Sequence, residues 1–125
     1  MALHDEELTK GILGAAIEVH RFLGPGLLES AYRRCLAHEL GLRGLVAAAE
    51  VVLDLEYKGL VVPATYRLDL LVANRVVVEV KTVDTLTSLH HAQLLTYLRL
   101  SGKQTGLLLN FKVERLADGI RRVVR

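Results

Sequence analysis

The sequence predicts an α+β (α/β) fold in which helices flank a mixed central sheet of about five strands. Residues 5–40 carry apolar side chains at helical spacing, and the pattern then changes to the alternation typical of β-strands. Another helical stretch separates the third predicted strand from the fourth, and crossovers of this kind join parallel strands. The sheet should therefore contain both antiparallel and parallel pairs.

Two helices are predicted at the start of the chain. From Asp5 to Leu23, apolar residues recur every three or four positions until Gly24-Pro25-Gly26 interrupts the pattern. A second helix is expected from about Leu27 to Leu40, with the proline in its first turn and Gly41 at its end. The single cysteine, Cys35, excludes an internal disulfide and lies on this helix's apolar stripe, so we expect a buried packing thiol rather than a nucleophile.

Three strands are expected next, as an antiparallel meander. Val46 to Tyr57 and Val61 to Val72 are rich in β-branched and alternating residues, and Lys58-Gly59 between them is typical of a turn. A proline near the start of the second strand fits an edge or a bulge. Ala73-Asn74-Arg75 then makes a short connection to the third strand, Val76 to Val83.

The rest of the chain predicts one helix and two strands. Ser88 to Ser101 has apolar residues at helical spacing, beginning with Leu89, and a glycine follows it. Thr105 to Phe111 is predicted to be a buried strand parallel to the third, because a crossover helix precedes it. Asp118-Gly119 signals a turn before an edge strand that ends the sheet, from Ile120 to Arg125.

Length and composition predict one globular domain over residues 1–125. The chain is 51% hydrophobic with a net charge of +2, and no apolar run approaches the ~18 residues of a membrane helix. The first residues are polar and lack the apolar core of a signal peptide, so a cytoplasmic protein with no membrane association is expected. This mildly basic charge permits nucleic-acid binding but does not argue for it.

Three ionisable side chains lie on the apolar strands at the centre of the predicted sheet. Glu79 and Lys81 share a face of the third strand, because residues two apart point the same way. Buried charges are usually paired or bound to a metal, since an unpaired one is costly. If Asp69 faces them from the neighbouring strand, two carboxylates and an ammonium group converge. Two such oxygen ligands suit a hard divalent cation.

Salt bridges offer a simpler explanation of each charge taken singly. Asp69 could pair with Arg67 on its own face, and Glu79 could pair with Lys81 alone. Both explanations weaken when the charges are considered together, because two carboxylates and a lysine occupy adjacent strand positions.

Polar residues on two helices are further candidates. Glu29 shares a face of the second helix with Tyr32, and it either stabilises the helix dipole or points toward the sheet. Gln93 and Tyr97 share a face of the third helix. Taken alone, they are expected at the surface or its boundary.

Several short motifs, in this order, resemble one known family. Gly26-x-x-Glu29-x-x-Tyr32 is similar to the signature of the small bacterial and archaeal GxxExxY proteins, which are assigned to the PD-(D/E)xK nuclease superfamily. Asp69 followed by Glu79-Val80-Lys81 resembles the catalytic motif of that superfamily, although Leu68 replaces the proline before the aspartate. Gln93-Leu94-Leu95-Thr96-Tyr97 resembles the QxxxY motif of its exonuclease-like members. The resemblance covers nearly the whole chain.

The resemblance implies a restriction-endonuclease-like core and a Mg²⁺- or Mn²⁺-dependent enzyme that hydrolyses phosphodiester bonds. DNA is the expected substrate, and RNA stays open. The implied catalytic residues are Lys81, Glu29, Asp69 and Glu79. The implied metal ligands are Asp69, Glu79 and Glu29, and the carbonyl group of Val80 is a further ligand. The residues expected to contact the substrate are Gln93, Tyr97 and Tyr32.

Two other functions compete with catalysis. A catalytically idle module of the same fold would bind nucleic acid or a protein partner without cutting, although the complete set of acids and lysine favours catalysis. In a purely structural interpretation, the charges are salt bridges, and Glu79→Gln would cost a few kcal/mol, roughly the cost of breaking a buried pair. A homodimer is a further expectation, because duplex cutting commonly needs two active sites.

Overall fold

A computed structural model describes residues 2–125, with side chains from Asp5 onward. Its helices are α1 (Ala2–Leu23), α2 (Glu29–Leu42) and α3 (Ser88–Ser101). Its strands are β1 (Ala47–Tyr57), β2 (Leu60–Val72), β3 (Val76–Lys81), β4 (Thr105–Asn110) and β5 (Ile120–Val124), and a 3₁₀ turn (Leu116–Gly119) precedes β5.

The five strands form one mixed sheet in the order β1-β2-β3-β4-β5. Strands β1, β2 and β3 form an antiparallel meander, β4 lies parallel to β3, and β5 pairs antiparallel with β4 at the edge. Helix α3 supplies the crossover between the two parallel strands. The predicted α+β fold with a mixed five-stranded sheet is therefore confirmed.

Helices pack on the two faces of the sheet and form two apolar cores. Helices α1 and α2 share the first core with alternate residues of β3, such as Val76 and Val78, and the predicted stripe of α1 is buried there. Helix α3 shares the second core with Val77 of β3. We call these the α1/α2 core and the α3 core.

The second helix differs from its predicted bounds. It begins at Glu29 rather than Leu27, because Leu28 caps it in an extended conformation with ψ 153°. The proline therefore lies outside the helix, and the chain continues past Gly41 before it turns at Gly44, where φ is +80°.

Cys35 is exposed, so the expectation of a buried packing thiol is wrong. The buried residues of α2 are Tyr32, Leu36 and Leu40. Cys35 precedes Leu36 by one position and therefore points about 100° away from this stripe.

Helix α3 has its predicted bounds but buries a different face. Leu94, Tyr97 and Leu98 face the sheet, whereas Leu89 in the first turn is 75% exposed. Tyr97 is only 7% exposed, which corrects its expected place at the surface or boundary. The α3 helix is capped by Thr87, whose side chain accepts from the backbone of His90, while the ring of His90 accepts from the backbone of Thr87.

Along β2, the alternation of side chains between the two cores is interrupted between Leu68 and Leu70. Leu70 packs in the α1/α2 core and Leu68 in the α3 core, although strict alternation would place both on one side. Strand β1 has an irregular backbone angle at this point. Ala49 lies opposite Leu70 and Val51 lies opposite Leu68 in one register, but Glu50 between them has φ +52°. This irregularity lies beside the residues predicted to form the site.

Candidate active site

Asp69 and Glu79 face each other across β2 and β3. These strands pair Leu71 with Val77 and Leu70 with Val78, and the same count places Asp69 opposite Glu79. At this pair, hydrogen bonds to side chains join the two strands in place of backbone-to-backbone bonds. The Asp69 N–H donates to Oε2 of Glu79 at 2.9 Å, and the Val80 N–H donates to Oδ2 of Asp69 at 2.8 Å. Each carboxylate is thus fixed by the backbone of the neighbouring strand.

Burial dominates the electrostatics of this acidic pair. Glu79 is 4% exposed, and burial together with the charge of Asp69 raises the pKa of its carboxyl group to about 8. Burial also raises the pKa of Asp69, while the Val80 N–H and the charge of Arg33 oppose that rise. Near neutral pH, Glu79 therefore keeps its proton unless a positive charge joins the pair.

Lys81 lies on the same side of the sheet as Glu79. Its Nζ donates to Oε1 of Gln93 on α3 at 3.3 Å. The lysine charge lowers the pKa of both Asp69 and Glu79, which places its ammonium group within electrostatic reach of both acids. The structure therefore brings together the three charged groups of the predicted site.

The simple salt-bridge explanations do not fit this geometry. Arg67 lies 3.8 Å from Glu50 rather than beside Asp69, and the guanidinium group nearest to Asp69 belongs to Arg33, at 4.0 Å. Glu79 accepts a hydrogen bond from the backbone of Asp69, and the charge of Lys81 also lowers its pKa. Neither carboxylate is explained by the single ion pair considered for it.

Glu29 lies at the rim of the site. It is exposed at the start of α2, and its Oε2 accepts from the hydroxyl group of Thr82 at 3.5 Å. Its charge raises the pKa of Asp69 and Glu79. Within the described part of the chain, no three acidic, histidine or cysteine side chains are arranged to hold a metal ion together. The expected role of Glu29 as a metal ligand therefore stays a prediction.

Gln93 and Tyr97 both lie beside charged residues of the site. Gln93 is exposed and contacts Lys81 directly. Burial raises the pKa of the Tyr97 phenol, and the charges of Glu79 and Asp69 raise it further. The sequence placed both residues on one helical face, and the structure brings that face to the site.

Tyr32 has no access to a substrate, so its predicted role in substrate binding is wrong. It is completely buried, and its ring stacks on Phe111 with centroids 4.5 Å apart. Its hydroxyl group accepts from the Leu27 N–H at 3.0 Å and donates to the carbonyl group of Gly24. Tyr32 thus holds the loop that leads into Glu29.

Sequence reasoning missed Arg33 and Tyr66. The guanidinium group of Arg33 lies 4.0 Å from Asp69 and 3.7 Å from Glu50. A signal existed for it, because Arg33 follows Glu29 by four residues and so shares its helical face. The ring of Tyr66 on β2 lies 5.7 Å from that of Tyr97, tilted by 51°. Nothing in the local sequence pattern marks this residue.

An open cleft of about 550 Å³ lies beside Lys81, between β2 and α3. Its lining residues are Tyr66, Lys81, Leu89, His90, Ala92, Gln93, Thr96 and Tyr97. The polar centre therefore opens into a space with tyrosine rings and aliphatic side chains on its walls.

A family model described as the PD-(D/E)XK nuclease superfamily matches residues 6–123. The chain belongs to this superfamily. The match spans every strand and helix that carries a site residue, from α1 into β5. PD-(D/E)XK proteins are usually nucleases that use divalent metal ions.

The other comparisons bear on the fold only. None of the curated proteins matches the chain. Among solved structures, this PD-(D/E)XK protein is similar to the crystal structure of SSO0001, with 21% sequence identity and a TM-score of 0.59. The similarity covers 99% of the chain but only 61% of the length of SSO0001.

The described helices include none with the combination of length and apolar character that crossing a lipid bilayer requires.

Proposed function

We propose that this protein is a metal-dependent nuclease that hydrolyses phosphodiester bonds of DNA, and that it belongs to the GxxExxY group. The observation that carries the proposal is that the carboxylates of Asp69 and Glu79 each accept a backbone N–H of the neighbouring strand, beside Lys81. Membership of the PD-(D/E)XK superfamily supports hydrolysis of nucleic acid.

The donor set of the site fits a hard divalent cation. Mg²⁺ takes one or two carboxylates and keeps several waters, so a third protein carboxylate is not required. Burial first, and then the charge of Asp69, raises the pKa of Glu79 to about 8, and a bound cation would favour its ionised form. Asp69 and Glu79 would hold Mg²⁺ or Mn²⁺, with the Val80 carbonyl group as a further ligand. When bound, the ion would supply a water of lowered pKa and charge to offset that of the phosphate.

The residues around the acids have separate tasks in this proposal. Lys81 orients the attacking water and offsets charge that develops on the phosphate. Gln93 fixes the ammonium group through its Oε1, and Tyr97 closes the buried side of the site. Glu29 acts from the rim through its charge and through Thr82.

The proposal is tested by incubating chelator-treated protein with DNA and with RNA, with and without Mg²⁺ or Mn²⁺. We expect metal-dependent cleavage that falls by about a hundredfold or more in Lys81→Ala and in Asp69→Ala, as expected when a group that stabilises developing charge is lost. Lys10→Ala, at an exposed position of α1, is the matched control and should cleave like the wild type. Full metal-dependent activity in a clean Lys81→Ala preparation would refute the proposal.

The idle module is a second candidate, because the same hydrogen bonds are compatible with a site that never binds a metal ion. Both carboxylates already have backbone partners, so the site holds together as a hydrogen-bonded unit by itself. Such a module would bind nucleic acid or a protein partner without cutting. Binding of DNA with no cleavage under any divalent ion would support it.

A further inference from the structure

The cleft beside Lys81 has walls poorly suited to a phosphate chain. Among its described lining residues, Lys81 is the only lysine or arginine. Proteins that grip a duplex do so largely through cationic contacts to its phosphates. The remaining walls include Tyr66, Leu89 and Ala92, which offer apolar surface instead.

Tyr66 presents an aromatic surface to this cleft. It is 37% exposed, whereas its neighbour Tyr97 is 7% exposed and packs in the α3 core. The two rings are 5.7 Å apart and tilted by 51°, so the buried ring supports the exposed one. An exposed ring held in this way loses little conformational freedom when a flat ligand stacks on it.

Leu89 adds an exposed aliphatic surface to the same cleft. It is 75% exposed, and the cap formed by Thr87 and His90 fixes the first turn of α3 in which it lies. Single exposed leucines are common on protein surfaces and mean little by themselves. Here the leucine lines the same cleft as an aromatic ring and the site lysine.

The size of the cleft suits a small ring system. Its volume of about 550 Å³ lies within the range of small-molecule sites, roughly 300–1,000 Å³. Gln93, Thr96 and His90 place polar groups among the apolar walls. This mixture matches a nucleobase, which has flat faces that stack and edges that form hydrogen bonds.

We infer that the cleft binds an unstacked nucleobase, with Tyr66 as its stacking platform. The backbone next to that base would then lie at Lys81, which lines the same cleft. A base inside a continuous duplex is stacked on both sides and enters such a cleft only after it is unpaired. The favoured substrate is therefore single-stranded DNA or an unpaired end, and this last step depends on the proposed nuclease function.

Base binding is tested without cleavage, by adding the protein in excess chelator to a short single-stranded oligonucleotide that contains 2-aminopurine. Stacking on Tyr66 should quench its fluorescence, and Tyr66→Leu should raise the Kd about tenfold or more, the scale of losing one base–aromatic stack. Tyr66→Phe keeps the ring and should bind like the wild type.

A second variant keeps the test decisive if Tyr66→Leu folds poorly. Leu89→Asp places a negative charge at an exposed position of the cleft and should weaken binding without changing the Tm. Leu42→Asp, at a leucine that is 69% exposed at the far end of α2, is its matched control and should leave the Kd unchanged.

Cleavage then tests the substrate preference. With Mg²⁺ or Mn²⁺, kcat/KM should be at least about tenfold higher for a single strand than for a blunt duplex of the same sequence. Equal binding by wild type, Tyr66→Leu and Leu89→Asp, or a preference for the blunt duplex, would overturn the inference even if cleavage depends on metal and Lys81. Binding that depends on Tyr66, with no cleavage under either metal, would support base binding in the cleft and contradict the nuclease proposal.

Discussion

At the scale of single residues, burial disfavours the charged form of the Glu79 carboxyl group. Its pKa of about 8 in the folded chain compares with 4.5 for the ordinary carboxyl group. Between these pH values the folded, metal-free protein binds a proton that the unfolded chain has released. Stability should therefore fall as the pH rises from about 4.5 to about 8, by roughly a few kcal/mol.

Glu79→Gln should remove this loss of stability in the metal-free protein. The amide oxygen can still accept from the Asp69 N–H, while the charge that burial disfavours is gone. We expect the variant to be as stable as the wild type near pH 4 and more stable near pH 8 or 9, measured by urea unfolding across that range. Glu114→Gln, at an exposed position, is the control and should follow the wild type. A loss of a few kcal/mol at high pH would instead support a buried salt bridge, for which roughly that cost is expected.

The sequence marked the charged residues of the site better than their partners. Asp69, Glu79 and Lys81 stand out because a charge on an apolar strand is conspicuous in a single sequence. Tyr66 does not stand out, and Arg33 is marked only by its helical spacing from Glu29, because tyrosine and arginine are ordinary on exposed strands and helices. Their importance depends on neighbours that are distant along the chain.

At the scale of elements, the GxxExxY motif forms the start of α2 and the loop before it. The tyrosine serves the loop rather than the substrate: Tyr32 bonds to Gly24 and Leu27, and the helix then begins at Glu29. Helical spacing predicted that Tyr32 and Glu29 share a face. It could not show that the face is completely buried at Tyr32 and exposed at Glu29.

Tyr32→Phe should loosen this element. The change leaves the stacked ring in place and removes the hydroxyl partner of the Leu27 N–H and of the Gly24 carbonyl group. We expect a loss of about 1–3 kcal/mol in unfolding free energy. Chemical denaturation measures it, with Tyr57→Phe at an exposed position as the control. Unchanged stability would show that the loop does not depend on Tyr32.

Strand alternation also failed at one identifiable element. Regular alternation would give β2 a single buried face, whereas Leu68 and Leu70 pack in different cores beside Glu50, which has a positive φ. A glutamate with positive φ has no reliable sequence signature, because glycine and asparagine are the usual residues there. Helix and strand existence was therefore predictable, whereas this change of face was not.

At the scale of the whole molecule, the order of elements was predictable because each helix and strand has a clear apolar period. The sheet order followed from short connections among the first three strands and from the crossover helix. A homodimer, the extent of the domain and the cytoplasmic location stay predictions.

Metal binding should stabilise the whole molecule. A ligand that binds only the folded state adds about 2.7 kcal/mol when its concentration is a hundred times its Kd. Mn²⁺ or Mg²⁺ should therefore raise the Tm of the wild type and leave that of Asp69→Ala unchanged, as measured by calorimetry. Asp118→Ala, at an exposed position in the 3₁₀ turn, is the control and should respond like the wild type. An equal rise in Asp69→Ala would place the ion elsewhere.

The reciprocal bonds between Asp69, Glu79 and Val80 also make the chemistry depend on strand register. A slip of β2 by one residue along β3 would turn the two acids to opposite sides of the sheet and break both bonds. A chain that has collapsed without the correct pairing therefore has no assembled hydrolytic centre. In the proposed nuclease, newly made or damaged molecules would be harmless to nucleic acid until this hairpin closes in its native alignment.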